Sequence, residues 1–241
     1  MSQKEIVAVT TFSEKNFAEY ARLSLELFAE YWPTKVIAYF EGETLPDFRH
    51  EKIEYRPFYS IPGVPEFLTA CSLIPALQGI RWDGVYDYNL DVFKFCRKVF
   101  AQVNVGLQHK GLMFWLDADV RLKKSVPEEF LNSLLENVYT CYLGRADRHP
   151  FYTETGFLGF DTTHTINQKF MSVYDRIYKS GAGIELKGRH DCYVYDIVRE
   201  QSSAPGRNLA EGTGGIHVMP QTILAEYMEH LKGARKTGEK T

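Results

Sequence analysis

The sequence predicts an α/β protein built on a mainly parallel sheet with helices on its faces. The chain opens in the order strand, helix, strand, and a later helical segment leads into five consecutive apolar residues, LMFWL at 112–116. Alternating strands and helices favour right-handed βαβ units. A strand without polar positions is typical of one that is covered on both faces.

The first strand is predicted at residues 6–11 (IVAVTT), because β-branched residues dominate it. Ser13 is a suitable N-cap for the next helix, in which apolar residues recur at helical spacing as far as Pro33. Residues 35–40 (KVIAYF) form the second strand. Residues 56–66 (RPFYSIPGVPE) contain three prolines and a glycine, and we expect a loop there.

The remaining elements are assigned by the same patterns of apolar spacing and β-branched content. We expect helices at residues 91–105, 126–137, 166–179 and 193–200, a last amphipathic helix at 223–231, and strands at 112–116, 139–143 and 157–160.

Length and composition narrow the function. A chain of 241 residues with 44% hydrophobic and 24% charged residues fits one domain, residues 1–241. The net charge of −3 gives no broad basic field, so nucleic acid is not an expected partner. The start lacks a signal peptide, and apolar runs are far shorter than the ~20 residues that cross a bilayer. We therefore expect no transmembrane segment, a cytoplasmic location and four reduced cysteines.

Two carboxylates, Asp117 and Asp119, directly follow the apolar strand. Ligands of open parallel sheets bind beyond the carboxyl ends of the strands. Like charges this close together repel, and a divalent cation removes that cost. Oxygen ligands suit Mn²⁺ or Mg²⁺, which also bind phosphate. The alternative is an ordinary exposed turn, where aspartate is common.

The order βαβ, helix, apolar strand and D-x-D resembles the glycosyltransferase A fold, a Rossmann-like mixed, mainly parallel sheet flanked by helices. Enzymes of that fold bind a nucleotide-sugar at the sheet end, and their D-x-D motif holds Mn²⁺ or Mg²⁺. The resemblance implies that about residues 1–120 bind the nucleotide-sugar donor. Residues 121–241 would then bind a glycan or other hydroxyl acceptor and end in a tail that binds metal and diphosphate.

The tail HLKGARK matches the pattern H-x-x-G-x-x-K near the end of glycogenin-like, family 8 retaining glycosyltransferases. The resemblance implies that His230 is a third metal ligand and that Gly233 and Lys236 contact the diphosphate. The family pattern continues with Pro-Trp, whereas this chain continues with threonine and glycine. His217, in GGIHVMP, is the alternative metal ligand.

Two further segments are similar to the same family. ETGFLGFD, which begins at Glu154, resembles the N-x-G-V segment beside the donor sugar, although asparagine is usual at the first position. Gly156 would let the sugar approach the backbone. Arg189-His190-Asp191 resembles the D-Q-D segment that precedes a helix. The resemblance implies that Glu154 and Asp191 are catalytic carboxylates. The alternative for Glu154 is an ordinary turn before a strand. The alternative for Asp191 is a carboxylate that is favoured at a helix N-terminus.

The donor-binding residues follow from the same resemblance. Arg97 and Lys98 resemble the basic residue that faces the nucleotide from the helix before the D-x-D strand. Thr10 and Thr11 lie at the strand end that would meet the base, and Ala118 lies between the two aspartates. The alternative for the basic pair is ordinary surface charge.

The expected function is metal-dependent transfer of a sugar from a nucleoside diphosphate donor to an acceptor hydroxyl, with UDP preferred over GDP and with retention. In an inverting enzyme, Asp191 or Glu154 would deprotonate the acceptor. LMFWLDADV also fits the D-x-D-x-[TV] motif of haloacid dehalogenase-type phosphatases, in which Asp117 would attack phosphorus. A non-catalytic protein that binds sugar nucleotide or glycan is a further alternative. A sugar-nucleotide pyrophosphorylase is disfavoured, because VAVTTFSEKNF lacks a glycine- and arginine-rich phosphate loop.

Overall fold

The computed structural model describes residues 4–148 and 153–232. Within these residues the strands are β1 Glu5–Phe12, β2 Lys35–Phe40, β3 Ile53–Pro57, β4 Gly111–Leu116, β5 Val120–Leu122, β6 Thr140–Tyr142, β7 Phe157–Asp161, β8 Gly206–Asn208 and β9 Met228–His230. The α-helices are α1 Glu14–Asn16, α2 Arg22–Tyr31, α3 Val64–Ser72, α4 Val92–Gln108, α5 Glu128–Leu134, α6 Asn167–Lys179 and α7 Asp191–Ser202.

Seven of these strands form one sheet in the order β3-β2-β1-β4-β7-β6-β8. Strands β1 to β4 are parallel, β7 is antiparallel to both of its neighbours, and β8 is parallel to β6. The mixed, mainly parallel sheet flanked by helices that the sequence predicts is therefore confirmed. A second sheet pairs β5 with β9.

Strand β4 is buried along its whole length, because helices cover both faces of the sheet. Phe114 belongs to the core on one face, where its ring lies 5.9 Å from that of Trp32, just after α2. Met113 and Trp115 belong to the core on the other face, together with residues of α4, α6 and α7. Successive side chains of a strand alternate between faces, which explains the uninterrupted apolar run.

The first predicted helix begins as expected, since the Asn16 backbone N–H donates to the Ser13 hydroxyl at 3.2 Å. It contains a π-helical turn, Phe17–Ala21, between α1 and α2. The predicted loop at 56–66 is wrong in part, because β3 ends at Pro57 and α3 begins at Val64. Proline is tolerated at a strand end and in the first turn of a helix, so its presence does not exclude either element.

The predicted helix at 223–231 is also wrong. Its residues form a 3₁₀ turn, Ile223–Glu226, followed by strand β9. Strand β9 alternates buried, exposed and buried residues and pairs antiparallel with β5, which places His230 opposite Val120. The Leu231 N–H also donates to the Asp119 carbonyl oxygen at 3.1 Å. A residue expected on a helix is thereby brought beside the D-x-D segment by backbone hydrogen bonds.

In the described part of the chain, no helix combines the length and the apolar character that a membrane crossing requires. The four cysteines are free thiols, as expected; Cys71, Cys96 and Cys141 are buried, and Cys192 is partly exposed.

Candidate active site

A cleft of about 830 Å³ opens at the carboxyl ends of the central strands. Thr11 near the end of β1, Glu41 just after β2 and Asp117 just after β4 all line it. Its volume lies within the range of small-molecule sites, roughly 300–1,000 Å³. The location agrees with the rule that open α/β sheets bind ligands beyond their carboxyl edge.

Asp117 is held in a fixed orientation. Its backbone N–H donates to the Gly156 carbonyl at 3.0 Å. Its Oδ1 accepts the Trp115 indole N–H at 2.7 Å and lies 2.7 Å from the Lys98 ammonium. Its other carboxylate oxygen, Oδ2, lies 3.6 Å from His230 Nε2. Because Trp115 and Lys98 both contact Oδ1, the other oxygen, Oδ2, is directed towards the His230 imidazole.

The structure brings His230 together with both aspartates. Its Nε2 lies 3.0 Å from Asp119 Oδ1, and one ligand atom from each of the three residues lies within 4.8 Å of the others. Asp119 is only 6% exposed. His217, the alternative ligand, is exposed and does not belong to this group.

Two carboxylates and an imidazole suit Mn²⁺ or Mg²⁺ in chemistry and in spacing. Ligands ~2.1 Å from a metal and at right angles to each other lie about 3.0 Å apart. The 3.0 Å between His230 Nε2 and Asp119 Oδ1 equals this spacing, and the 3.6 Å between His230 Nε2 and Asp117 Oδ2 is wider. Burial alone would lower the pKa of His230, but its hydrogen bonds to Asp119 and Glu154 raise it above the usual value. A divalent cation would replace the imidazole proton as the positive charge among these carboxylates.

Gly156 is required by the imidazole of His230. A Cβ at this position would lie 2.3 Å from His230 Cε1 and Nδ1, far inside van der Waals contact. The sequence assigns this glycine to close approach of the donor sugar. Gly156 lines the cleft, but its nearest neighbour in the structure is the proposed third metal ligand.

Replacing Gly156 by alanine is expected to displace the His230 ring and to weaken Mn²⁺ binding by at least tenfold, measured by isothermal titration calorimetry. Gly159, which lies three residues later in β7, is a matched control. Its added Cβ would meet the Cys141 sulfur at 2.5 Å and the Phe114 ring at 2.9 Å, away from His230. We expect Gly159→Ala to lower thermal stability but to keep Mn²⁺ affinity. Equal Mn²⁺ affinity in both variants would contradict the assignment of Gly156.

Glu154 is 1% exposed and lies behind His230. Its Oε1 lies 3.0 Å from His230 Nδ1 and 3.1 Å from Lys232 Nζ, and its Oε2 accepts the Val218 N–H at 2.8 Å. Burial alone would raise the pKa of Glu154, but the His230 hydrogen bond and the charge of Lys232 hold it well below its usual value. Glu154 is therefore an ionised carboxylate inside the protein.

Lys98 forms ion pairs with two carboxylates of the cleft, Asp117 and Asp191. Its ammonium lies 2.7 Å from Asp191 Oδ2, as well as 2.7 Å from Asp117, and it donates to the Thr155 carbonyl at 2.9 Å. The Thr155 hydroxyl also donates to Asp191 Oδ2. Burial alone would raise the pKa of Asp191, the first residue of α7, but Lys98 lowers it to about 2. Lys98 thus neutralises carboxylates and is not a freely exposed cation.

Arg97 and Thr11 line the cleft and share Glu41 as a partner, whereas Thr10 does not line it. Arg97 Nε lies 2.6 Å from Glu41 Oε2, and the Thr11 hydroxyl donates to Glu41 Oε1 at 3.3 Å. Thr10 is 1% exposed and does not line the cleft, whereas Thr11 and Ala118 do. Gly233 and Lys236 lie outside the described residues, and their contact with diphosphate stays a prediction.

Several cleft residues were not expected from the sequence. In the sequence, Trp115 belongs to an apolar run, although the N–H of a buried indole needs an acceptor. Lys232 occupies an unspecified position of the H-x-x-G-x-x-K pattern. Tyr20 lines the cleft, and burial together with the charges of Asp119 and Asp117 raises the pKa of its phenol. Glu41 and Thr155 carried no recognisable sequence signal, since isolated polar residues after strands are common.

No protein-family model and no curated protein matches the sequence. Solved structures that match it include mouse xyloside xylosyltransferase 1, with 11% identity, 85% of this chain and 84% of that chain covered, and a TM-score of 0.48. An active-site mutant of LgtC matches with 14% identity, 94% and 87% coverage and a TM-score of 0.49. A glycosyltransferase involved in glycosylation of the major capsid of PBCV-1 matches with 15% identity, 95% and 96% coverage and a TM-score of 0.41. Similarity at this level leaves the activity of this chain to be inferred from its own residues.

Proposed function

We propose that the protein is a metal-dependent glycosyltransferase that uses a nucleoside diphosphate sugar, with UDP preferred over GDP, as donor and a hydroxyl group as acceptor. One observation carries the proposal. Asp117 Oδ2, Asp119 Oδ1 and His230 Nε2 converge at the carboxyl edge of the sheet, at the wall of a cleft large enough for a nucleotide-sugar. The D-x-D and H-x-x-G-x-x-K resemblances point to the same three residues.

Asp117, Asp119 and His230 would hold Mn²⁺ or Mg²⁺. When bound, such a cation neutralises the negative charge that develops on a departing diphosphate. Lys232 lines the cleft two residues after His230 and is partly exposed, so it can add positive charge for the diphosphate. Lys236 and Gly233 are proposed to extend that contact.

The cleft draws residues from both of the proposed halves of the chain. Thr11, Lys98 and Asp117 come from residues 1–120, whereas Asp191 and His230 come from residues 121–241. This arrangement supports donor binding by the first half and an acceptor site completed by the second. A cleft built from both halves can hold donor and acceptor side by side.

Asp191 is the proposed catalytic carboxylate. Lys98 and the Thr155 hydroxyl occupy its Oδ2 and keep it ionised, so it can stabilise positive charge at the anomeric carbon of a donor sugar. Retention of the anomeric configuration is proposed from the tail resemblance. The anomeric configuration of the product, read by NMR from its anomeric proton coupling, distinguishes retention from inversion, in which Asp191 would accept the acceptor proton.

The test is thermal unfolding with a panel of nucleotide-sugars, with and without Mn²⁺. A donor at 100 times its Kd adds about 2.7 kcal/mol of stability, which corresponds to a Tm increase of roughly 5–10 °C for a chain of this size. We expect that increase with UDP-sugars plus Mn²⁺, and its loss on addition of EDTA. No shift with any donor in the presence of metal would refute the proposal. Hydrolysis of p-nitrophenyl phosphate, abolished by Asp117→Asn, would instead support the phosphatase alternative.

A further inference from the structure

Glu154 borders the cleft, but its carboxylate is directed at His230 and other protein groups and is almost fully buried. Both of its carboxylate oxygens are already engaged inside the protein, Oε1 by His230 and Lys232 and Oε2 by the Val218 N–H. The carboxylate is 1% exposed. A group enclosed in this way is badly placed to contact a sugar, but it is well placed to fix its protein neighbours.

The contact with His230 determines which imidazole nitrogen is available to a metal. Oε1 faces the Lys232 ammonium and Oε2 accepts the Val218 N–H, so both oxygens of Glu154 act as acceptors. The Nδ1 that faces Oε1 at 3.0 Å therefore carries hydrogen. Nε2 faces Asp119 at 3.0 Å and Asp117 at 3.6 Å, so without a cation it carries hydrogen as well. A cation held by these two carboxylates would take the place of that hydrogen, and the lone pair of the neutral imidazole would then lie on Nε2. Carboxylate, histidine and metal in this order form a common second-shell arrangement.

We propose that Glu154 is a positioning residue for the metal centre: it holds the His230 ring in the Nδ1–H tautomer and presents Nε2 to the cation. The inference rests on the proposed function, because it requires the metal site of Asp117, Asp119 and His230. It also revises the catalytic role that the sequence suggests for Glu154.

Gly156 and Lys232 make it possible for the Glu154 carboxylate to lie against the His230 ring. Gly156 leaves the space that the His230 ring fills, and any larger residue there would collide with Nδ1 and Cε1. Lys232 lies 3.1 Å from Glu154 and offsets the cost of an ionised carboxylate in the interior. In the glycosyltransferases that the sequence resembles, asparagine is usual at the position of Glu154. An amide presents one acceptor and one donor group, whereas His230 and Val218 both require acceptors.

Replacing Glu154 by glutamine tests the proposal with nearly unchanged shape. If the amide oxygen of the new glutamine faces Val218, the amide NH₂ faces His230 Nδ1 and favours the tautomer with hydrogen on Nε2. In the opposite orientation, the amide NH₂ faces the Val218 N–H, and two donors then meet. We expect the Mn²⁺ dissociation constant, measured by calorimetry, to rise about 10- to 100-fold. Pulsed electron paramagnetic resonance of bound Mn²⁺ should show a nitrogen coupling in the wild-type protein that is weakened or lost in Glu154→Gln.

Two control variants separate tautomer control from loss of charge. Glu41→Gln makes the same substitution in the same cleft, but Glu41 contacts Arg97 and Thr11, and we expect unchanged Mn²⁺ affinity and nitrogen coupling. Lys232→Met removes the other partner of Glu154 and should change Mn²⁺ affinity less than threefold. If Lys232→Met reproduces the full effect, or if Glu154→Gln binds Mn²⁺ like the wild type with its nitrogen coupling intact, the inference is wrong. Absence of Mn²⁺ binding in the wild-type protein would refute the proposed function itself.

Discussion

Replacing Asp119 by asparagine is expected to reduce Mn²⁺-dependent donor hydrolysis or transfer by about 1,000-fold or more, equivalent to roughly 4 kcal/mol of transition-state stabilisation. Asp119 supplies a nearly buried oxygen 3.0 Å from His230 Nε2, and the amide that replaces it is neutral and a weaker ligand. With less cation bound, the negative charge that develops on the departing diphosphate would not be neutralised. The decisive measurement pairs turnover with calorimetric Mn²⁺ affinity in the same preparation.

The matched control is Asp47→Asn, the same chemical change at a carboxylate that is 72% exposed and paired with Arg22. Exposed ion pairs contribute little, about 0–1 kcal/mol, so this variant should retain Mn²⁺ binding, activity and stability. Asp119→Asn should also lose the Tm increase that Mn²⁺ gives the wild-type protein. If the Asp119→Asn protein binds Mn²⁺ and turns over donor normally, Asp119 is not a metal ligand.

Replacing Lys98 by methionine is expected to lower the free energy of unfolding by about 3 kcal/mol, because it leaves the buried Asp191 and the partly exposed Asp117 without their cation. Lys98 lies 2.7 Å from both Asp117 and Asp191, and its burial alone would favour the neutral amine. The two carboxylates outweigh that effect and raise the pKa of Lys98. Methionine has similar length but no charge. Urea unfolding monitored by circular dichroism measures the change.

Two further variants show whether the loss is electrostatic. Lys169→Met makes the same substitution at an exposed position of α6 and should shift the unfolding free energy by less than about 0.5 kcal/mol. The double variant Lys98→Met with Asp191→Asn should regain part of the stability, since the uncompensated charge is reduced. Full stability of Lys98→Met alone would show that these carboxylates are solvated or protonated, contrary to the contacts described here.

The sheet could be predicted from the sequence where burial leaves a clear pattern. Strand β4 has no polar position, and β1 and β2 flank an amphipathic helix, so parallel packing was the natural expectation. Strand β9 could not be recognised in the same way. It has three residues, and Ile223, Tyr227 and Leu231 happen to recur at helical spacing. Its identity is decided by backbone pairing with β5, a long-range contact that local propensity does not encode.

The candidate site could likewise be predicted only where a local pattern in the sequence points to it. Asp117 and Asp119 could be located because they end a buried strand, and His230 was found only through a resemblance in the tail. The clamp of Lys98 on Asp117 and Asp191 joins three separate segments, and no spacing along the chain reveals it. Lys98 alone looked like a cation facing the nucleotide. Its burial between two carboxylates depends on how α4 and α7 pack, which only the folded structure specifies.

The pairing of β5 with β9 makes the proposed metal site depend on two segments that are far apart in the sequence. Strand β5 follows the aspartate pair, whereas β9 carries His230 and is synthesised long afterwards. A nascent chain or a proteolytic fragment that stops before β9 can contain the whole parallel region β1 to β4 and both aspartates, yet it lacks the imidazole. Tight cation binding would therefore distinguish chains that extend through β9 from such fragments, and the cation would stabilise only the longer chains.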